Sequence, residues 1–173
     1  SRLTHLTKGN SSEEAFKILL KILEEKTVVG STTATGFIIG SKSAVCLQEA
    51  PLNAIAENLL YEKELREKSD DKVRYSAFGL RFNKAWIYKK GGRPVIYEEK
   101  DLMKSILPSD EYWRIVNYDL SDNQYMVDWT HEREWRVPGD IQFEYKNVEI
   151  IVESNTYYQK FVEYLSLIHI SEP

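Results

Sequence analysis

The sequence predicts an α+β fold, with a largely antiparallel split sheet and flanking helices. Two observations carry that expectation. Helical patterns with clear start signals cluster early, at residues 11–25 and from Pro51 onward. Short alternating apolar runs, separated by Gly, Pro and Asn, crowd the second half. Helices early and strands late argue against a βαβ sandwich.

The elements follow in order. Leu3 to Thr7 reads as a first strand. Ser11 to Glu25 reads as a helix, because Ser11 and Glu14 form a capping box and Phe16, Leu19, Leu20 and Leu23 form an apolar stripe. Gly30 to Gly40 is rich in Thr, Ser and Gly and reads as a loop, with a short strand at Phe37 to Ile39. Ala44 to Leu47 is a buried strand. Pro51, favoured in a first turn, opens a helix to about Lys68, with a charged tail over Glu62 to Lys72.

Tyr75 to Phe82 alternates as a strand with Phe78, Leu80 and Phe82 on one side. Asn83 to Lys90 is a helical turn ended by Gly91-Gly92. Pro94 to Tyr97 is another strand, and Glu99 to Ile106 and Ser109 to Asn117 read as helical. Three strands close the set, at Glu132 to Val137, Ile141 to Tyr145 and Val148 to Glu153. Asn155 to Tyr164 reads as a last helix.

Residues 165–173, Leu-Ser-Leu-Ile-His-Ile-Ser-Glu-Pro, match the frame translation of a transposon-type sequencing adapter, codon by codon. The expectation is therefore one domain over 1–164, cut at its C-terminus, with a non-native tail. His169 and the tail's apolar residues receive no functional weight.

Composition narrows the function classes. There are 23 basic and 27 acidic residues, for a formal charge of −4, and no basic block. Such a chain has no electrostatic case for wrapping nucleic acid. The one cysteine, Cys46, excludes an internal disulfide framework and fits a reducing compartment. It lies in an apolar run, as a buried structural thiol does. No apolar stretch reaches membrane-span length, so the expected location is cytoplasmic, with no membrane partner.

His5 and His131 are far apart and no metal-ligand spacing occurs, so no metal is expected. Gly91-Gly92 lacks the spacing of a phosphate loop, and there is no nucleophile elbow. Asp140, Glu144 and Lys146 resemble a metal-dependent nuclease pattern in miniature. Asp140, however, stands on what reads as the same short strand, and charge alternation is common on solvated strands.

The densest run is Trp129-Thr130-His131-Glu132-Arg133-Glu134-Trp135-Arg136. On a strand, Glu132, Glu134 and Arg136 share one face, and Arg133, Trp135 and Val137 the other. Trp135 belongs in the core. The carboxylate face is either a salt-bridged outer surface or a reaction site.

Several blocks carry a family resemblance. Arg2-Leu3-Thr4-His5-Leu6-Thr7 before a capped helix resembles the N-terminus of AbiGi-type abortive infection proteins, bacterial phage-resistance proteins described as antitoxins. Val45-Cys46-Leu47-Gln48-Glu49-Ala50-Pro51-Leu52 resembles their Val-Cys-Phe-x-x-x-Pro-Leu segment, with departures at Gln48 and Ala50. The segments Tyr75 to Lys84 and Gly91 to Tyr97 look like the next two blocks, and Glu132 to Arg136 like the last. The resemblance implies a phage-defence role and a cognate toxin or antitoxin protein as partner.

More distantly, a Thr-His strand, a capped helix and a late Glu-x-Glu strand are similar to ADP-ribosyltransferases, including DarT-like toxins. That resemblance implies an ADP-ribosyltransferase-like fold with NAD as substrate and nucleic acid as a conceivable modification target. It also implies that His5 holds the nicotinamide ribose, Glu134 is catalytic, Glu132 is auxiliary and Tyr75 stacks on nicotinamide. The plain alternatives are a capping or surface histidine for His5 and a packing role for Tyr75. A non-enzymatic antitoxin of the same family remains the alternative function.

Overall fold

The computed structural model describes residues 1–67 and 77–171. A six-stranded antiparallel sheet forms its centre. The strands are β1 (Arg2–Leu6), β3 (Ala44–Gln48), β4 (Gly79–Asn83), β5 (Arg93–Pro94), β8 (Glu134–Pro138) and β10 (Val148–Ile151), in the spatial order β10-β4-β1-β3-β8-β5. Two minor pairs complete the strands. β2 (Thr27–Val28) lies antiparallel to β9 (Ile141–Gln142), and β6 (Ile96–Glu98) lies parallel to β7 (Ile115–Asn117). The helices are α1 (Ser12–Glu25), α2 (Leu52–Glu67), α3 (Lys84–Lys89), α4 (Lys100–Ile106) and α5 (Asn155–Ser171).

The expected α1 forms for the expected reason. Ser11 Oγ accepts the Glu14 N–H at 3.1 Å. The Glu14 carboxylate reaches back one residue further than a strict capping box, to the Asn10 N–H at 2.7 Å. Phe16, Leu19 and Leu23 are buried against the sheet. Asn83 caps α3 by accepting from the N–H groups of Ala85 and Trp86.

The alternation of the strands splits the sheet into two chemically different faces. Leu3, Val45, Leu47, Leu80, Phe82, Trp135 and Val137 point to the core under α1 and α5. Tyr157 of α5 closes that core edge-on against Phe16 and Phe78, with ring centroids 5.1 and 4.8 Å away. The paired residues Cys46↔Arg136 and Gln48↔Glu134 belong to the opposite face. Burying about ten large apolar side chains on one face contributes on the order of 1.5–3 kcal/mol each. The polar face is therefore stabilised from behind.

Five sequence expectations require correction. Glu132 to Val137 is not one strand: Thr130–Glu132 is a 3₁₀ turn, Arg133 takes a left-handed φ of 46°, and β8 starts at Glu134. Ser109 to Asn117 is a 3₁₀ segment to Arg114 followed by β7, because Ile115 and Val116 find a strand partner in β6. Phe37 to Ile39 forms no strand, and Phe37 is exposed while Ile38 is buried. Ile141 to Tyr145 shortens to β9, since Tyr145 enters a 3₁₀ turn. The last helix runs past Tyr164 to Ser171, because nothing before Pro173 breaks it. Tyr75 lies outside the described residues, as does part of the charged tail after α2.

Candidate functional site

The site begins where β1 leaves β3. β1 pairs with β4 along its whole length, from Arg2↔Asn83 to Leu6↔Gly79, whereas its pairing with β3 is Thr4↔Gln48 alone. Thr7 N–H continues along β4 by donating to Phe78 O at 2.8 Å. Gly79 permits this path: a Cβ there would lie 2.3 Å from His5 O. Strict alternation would put His5 on the core face with Leu3. Instead its ring bonds the neighbouring strand, with Nδ1 2.9 Å from Cys46 O.

A carbonyl oxygen only accepts, so Nδ1 carries the proton and the neutral ring keeps Nε2 as an acceptor. Burial lowers the imidazole pKa below its ordinary 6.5; the Cys46 carbonyl opposes this shift and the nearby Lys8 charge reinforces it. His5 is accordingly neutral at physiological pH.

A cavity of about 570 Å³ opens on this face, within the range of small-molecule sites. Its lining includes His5, Glu132 and Glu134, so the structure brings together the three described residues singled out in the sequence. They come from three different local structures: a strand that peels away, a 3₁₀ turn and the first residue of β8. Glu132 is half-buried, whereas Glu134 is only 7 % exposed.

Arg136 governs the buried carboxylate. Its Nε donates to Glu134 Oε1 at 2.6 Å. Its Nη1 donates to the carbonyls of Trp113 and Ile115 at 2.9 and 3.2 Å, and its Nη2 to Phe37 O at 3.3 Å. One guanidinium thus ties β8, the loop before β3 and the segment entering β7 into a single frame. Burial disfavours the Arg136 charge, but the Glu134 carboxylate outweighs it and holds the proton more tightly than usual. The Glu134 N–H donates to Tyr97 Oη at 2.8 Å. Arg136 does pair with Glu134, yet the pair faces a cavity and not an outer surface.

Cys46 sits between these groups and lines the same cavity. Burial, followed by the adjacent Glu134 carboxylate, pushes its thiol up to about 12, so it is protonated and unreactive. Thr4 is 1 % exposed, lines the cavity, and its Oγ1 has no hydrogen-bond partner among the described residues. A buried hydroxyl without a partner costs free energy, and a ligand in the cavity would relieve it.

The sequence reading missed several lining residues. Trp129 lines the cavity, in the run already recognised as dense, and Phe37 joins it from a segment read as a strand. Thr4 stood next to His5 in a strand that alternation would have split between faces. Lys100 and Lys104 were legible only as a helical i, i+4 pair. The acidic pattern resembling a nuclease resolves into structural contacts: Asp140 Oδ1 accepts the Gly30 N–H at 2.8 Å, and Glu144 caps a 3₁₀ turn. Among the described residues, no group of three acidic, His or Cys side chains is placed to hold a metal, and no helix is long and apolar enough to cross a membrane.

Compared with known proteins, the chain matches no family model, no curated protein and no solved structure.

Proposed function

We propose that this protein is a phage-defence protein of the abortive-infection type with an ADP-ribosyltransferase-like domain that binds NAD in the cavity beside β1 and β8. One observation carries the reading: His5, Glu132 and Glu134, distant in sequence, line one cavity on the polar face of the sheet. His5 offers a neutral Nε2 acceptor to a ribose hydroxyl. Trp129 and Phe37 supply aromatic surface in the lining for a flat ring.

The chemistry would proceed by loss of nicotinamide. The C1′–N bond breaks, its electron pair leaves with the pyridine nitrogen, and positive charge develops on the ribose. The Glu134 carboxylate, held in place by Arg136, opposes that charge in a nearly dry environment. Glu132, less buried, is placed to accept the proton of the incoming nucleophile, water or an acceptor hydroxyl.

The decisive experiment is NAD binding by calorimetry together with nicotinamide release, on wild type, Glu134→Gln and Glu132→Gln. Slow release by wild type, and loss of release with retained binding in Glu134→Gln, is the expected result. Equal turnover in both removes Glu134 from catalysis, and absence of NAD binding removes the class. Melting curves on each variant separate chemistry from folding.

The second reading, a non-enzymatic antitoxin that binds a toxin partner, is favoured by the Arg136 clamp. A carboxylate so closely ion-paired has much of its charge neutralised before any substrate arrives. Co-purification with the product of an adjacent gene tests it, and a clean monomer that turns over NAD counts against it.

A further inference from the structure

The charge of the cavity is opposite to the charge of the chain. Its charged lining consists of Lys8, Lys100, Lys104 and Arg136 against Glu132 and Glu134, an excess of two positive groups, whereas the whole chain carries −4. Arg136 and Glu134 pair with each other at 2.6 Å, and Lys8 lies over the Phe37 ring. Lys100 and Lys104 stand one turn apart on α4, on the same helix face. Neither makes an ion pair among the described residues, although both are exposed and the chain is rich in acids. Like charges at i, i+4 repel. Both residues line the cavity and both are exposed.

An independent observation points to a ligand in the same space. The Thr4 hydroxyl, almost fully buried on the sheet floor, has no hydrogen-bond partner among the described residues. The floor therefore offers one unsatisfied hydroxyl and one free imidazole nitrogen, while the wall offers Lys100 and Lys104, which have no ion pair among the described residues. That combination suits a polar body carrying an anionic group, not a neutral or apolar molecule.

We infer that the cavity takes a phosphate- or diphosphate-bearing small molecule, whose anionic group is held by Lys100 and Lys104 with Lys8 contributing to the field. The inference uses the same cavity as the NAD reading and deepens it, but holds for any nucleotide with a diphosphate. A nucleic-acid backbone fits less well, because the cations line one cavity of about 570 Å³ and the remainder of the chain is acidic.

The test is calorimetric titration of ADP, inorganic pyrophosphate and NAD into wild type and into Lys100→Gln/Lys104→Gln, at low and at moderate salt. Both lysines are exposed, so the variant should melt with wild type. ADP and pyrophosphate should bind wild type and weaken about tenfold or more in the variant, the scale of one or two charge-assisted contacts. The salt dependence should shrink with them. Unchanged affinity in the variant, or no binding of either probe to wild type, overturns the inference. A single-stranded oligonucleotide that binds more tightly than ADP with the same lysine dependence overturns the small-molecule assignment. ADP and pyrophosphate binding without NAD binding supports this inference and defeats the NAD reading alone.

Discussion

Arg136→Met is the substitution with the largest expected effect. The side chain is 4 % exposed and donates to one carboxylate and three backbone carbonyls. Methionine fills a similar volume but donates nothing. Glu134 would then be a buried carboxylate without its partner, and the carbonyls of Phe37, Trp113 and Ile115 would each lose a donor. Removing one member of a buried pair costs about 3–5 kcal/mol. For a chain of this size each kcal/mol lowers Tm by about 2–4 °C, so a fall of about 6–20 °C is expected by circular dichroism. Glu134→Leu/Arg136→Met, which removes both charges, should recover much of the loss. Hydrogen exchange should quicken at Ile38 and around Val116, the segments the guanidinium ties to β8. A Tm within about 2 °C of wild type would refute the reasoning, because no buried clamp could be removed so cheaply.

Other outcomes follow from the same geometry. The His5 pKa is lowered from 6.5 in the folded state, so the unfolded chain takes up a proton first as pH falls. Stability should therefore decline through and below that pH until the folded pKa is passed, and His5→Gln should flatten the decline in urea midpoints. Cys46, shifted from 9.0 to about 12, should alkylate roughly 40-fold more slowly than a free thiol before any loss of access is counted, read by mass spectrometry at pH 8. Rapid labelling of the native protein would contradict its burial. Gly79→Ala should destabilise by about 1–3 kcal/mol, because the new methyl would meet the His5 carbonyl and push β1 off β4. Urea unfolding checks it, and an unchanged midpoint would mean that the strand yields freely.

The helices were legible because their signals are local. Ser11, the stripe from Phe16 to Leu23, and Asn83 before α3 each act within a few residues of the element they specify. The core face was equally readable, since Phe78, Leu80 and Phe82 repeat at the strand period and are all fully buried. Ile115 to Asn117 was misread because its strand partner is β6, whose paired residues lie nineteen positions earlier in the chain. Glu132 was misread for a similar reason. Nothing in Glu132-Arg133-Glu134 announces that Arg133 adopts a left-handed φ and that the strand starts one residue later.

By itself the sequence determined the class of fold, the core face of the strands, and the candidate residues His5, Glu132 and Glu134. Side-chain periodicity and capping chemistry are short-range, so one dimension holds them. Only the tertiary structure decided whether those residues meet. Their convergence depends on β1 leaving β3 after one residue pair, on Gly79 admitting that departure, and on Arg136 binding three distant carbonyls. It likewise decided that Lys100 and Lys104, otherwise an ordinary pair on a helix, line the same cavity as the Glu134–Arg136 pair. The charge of a cavity belongs to the elements that enclose it, and these come from residues 4 to 136 of the chain.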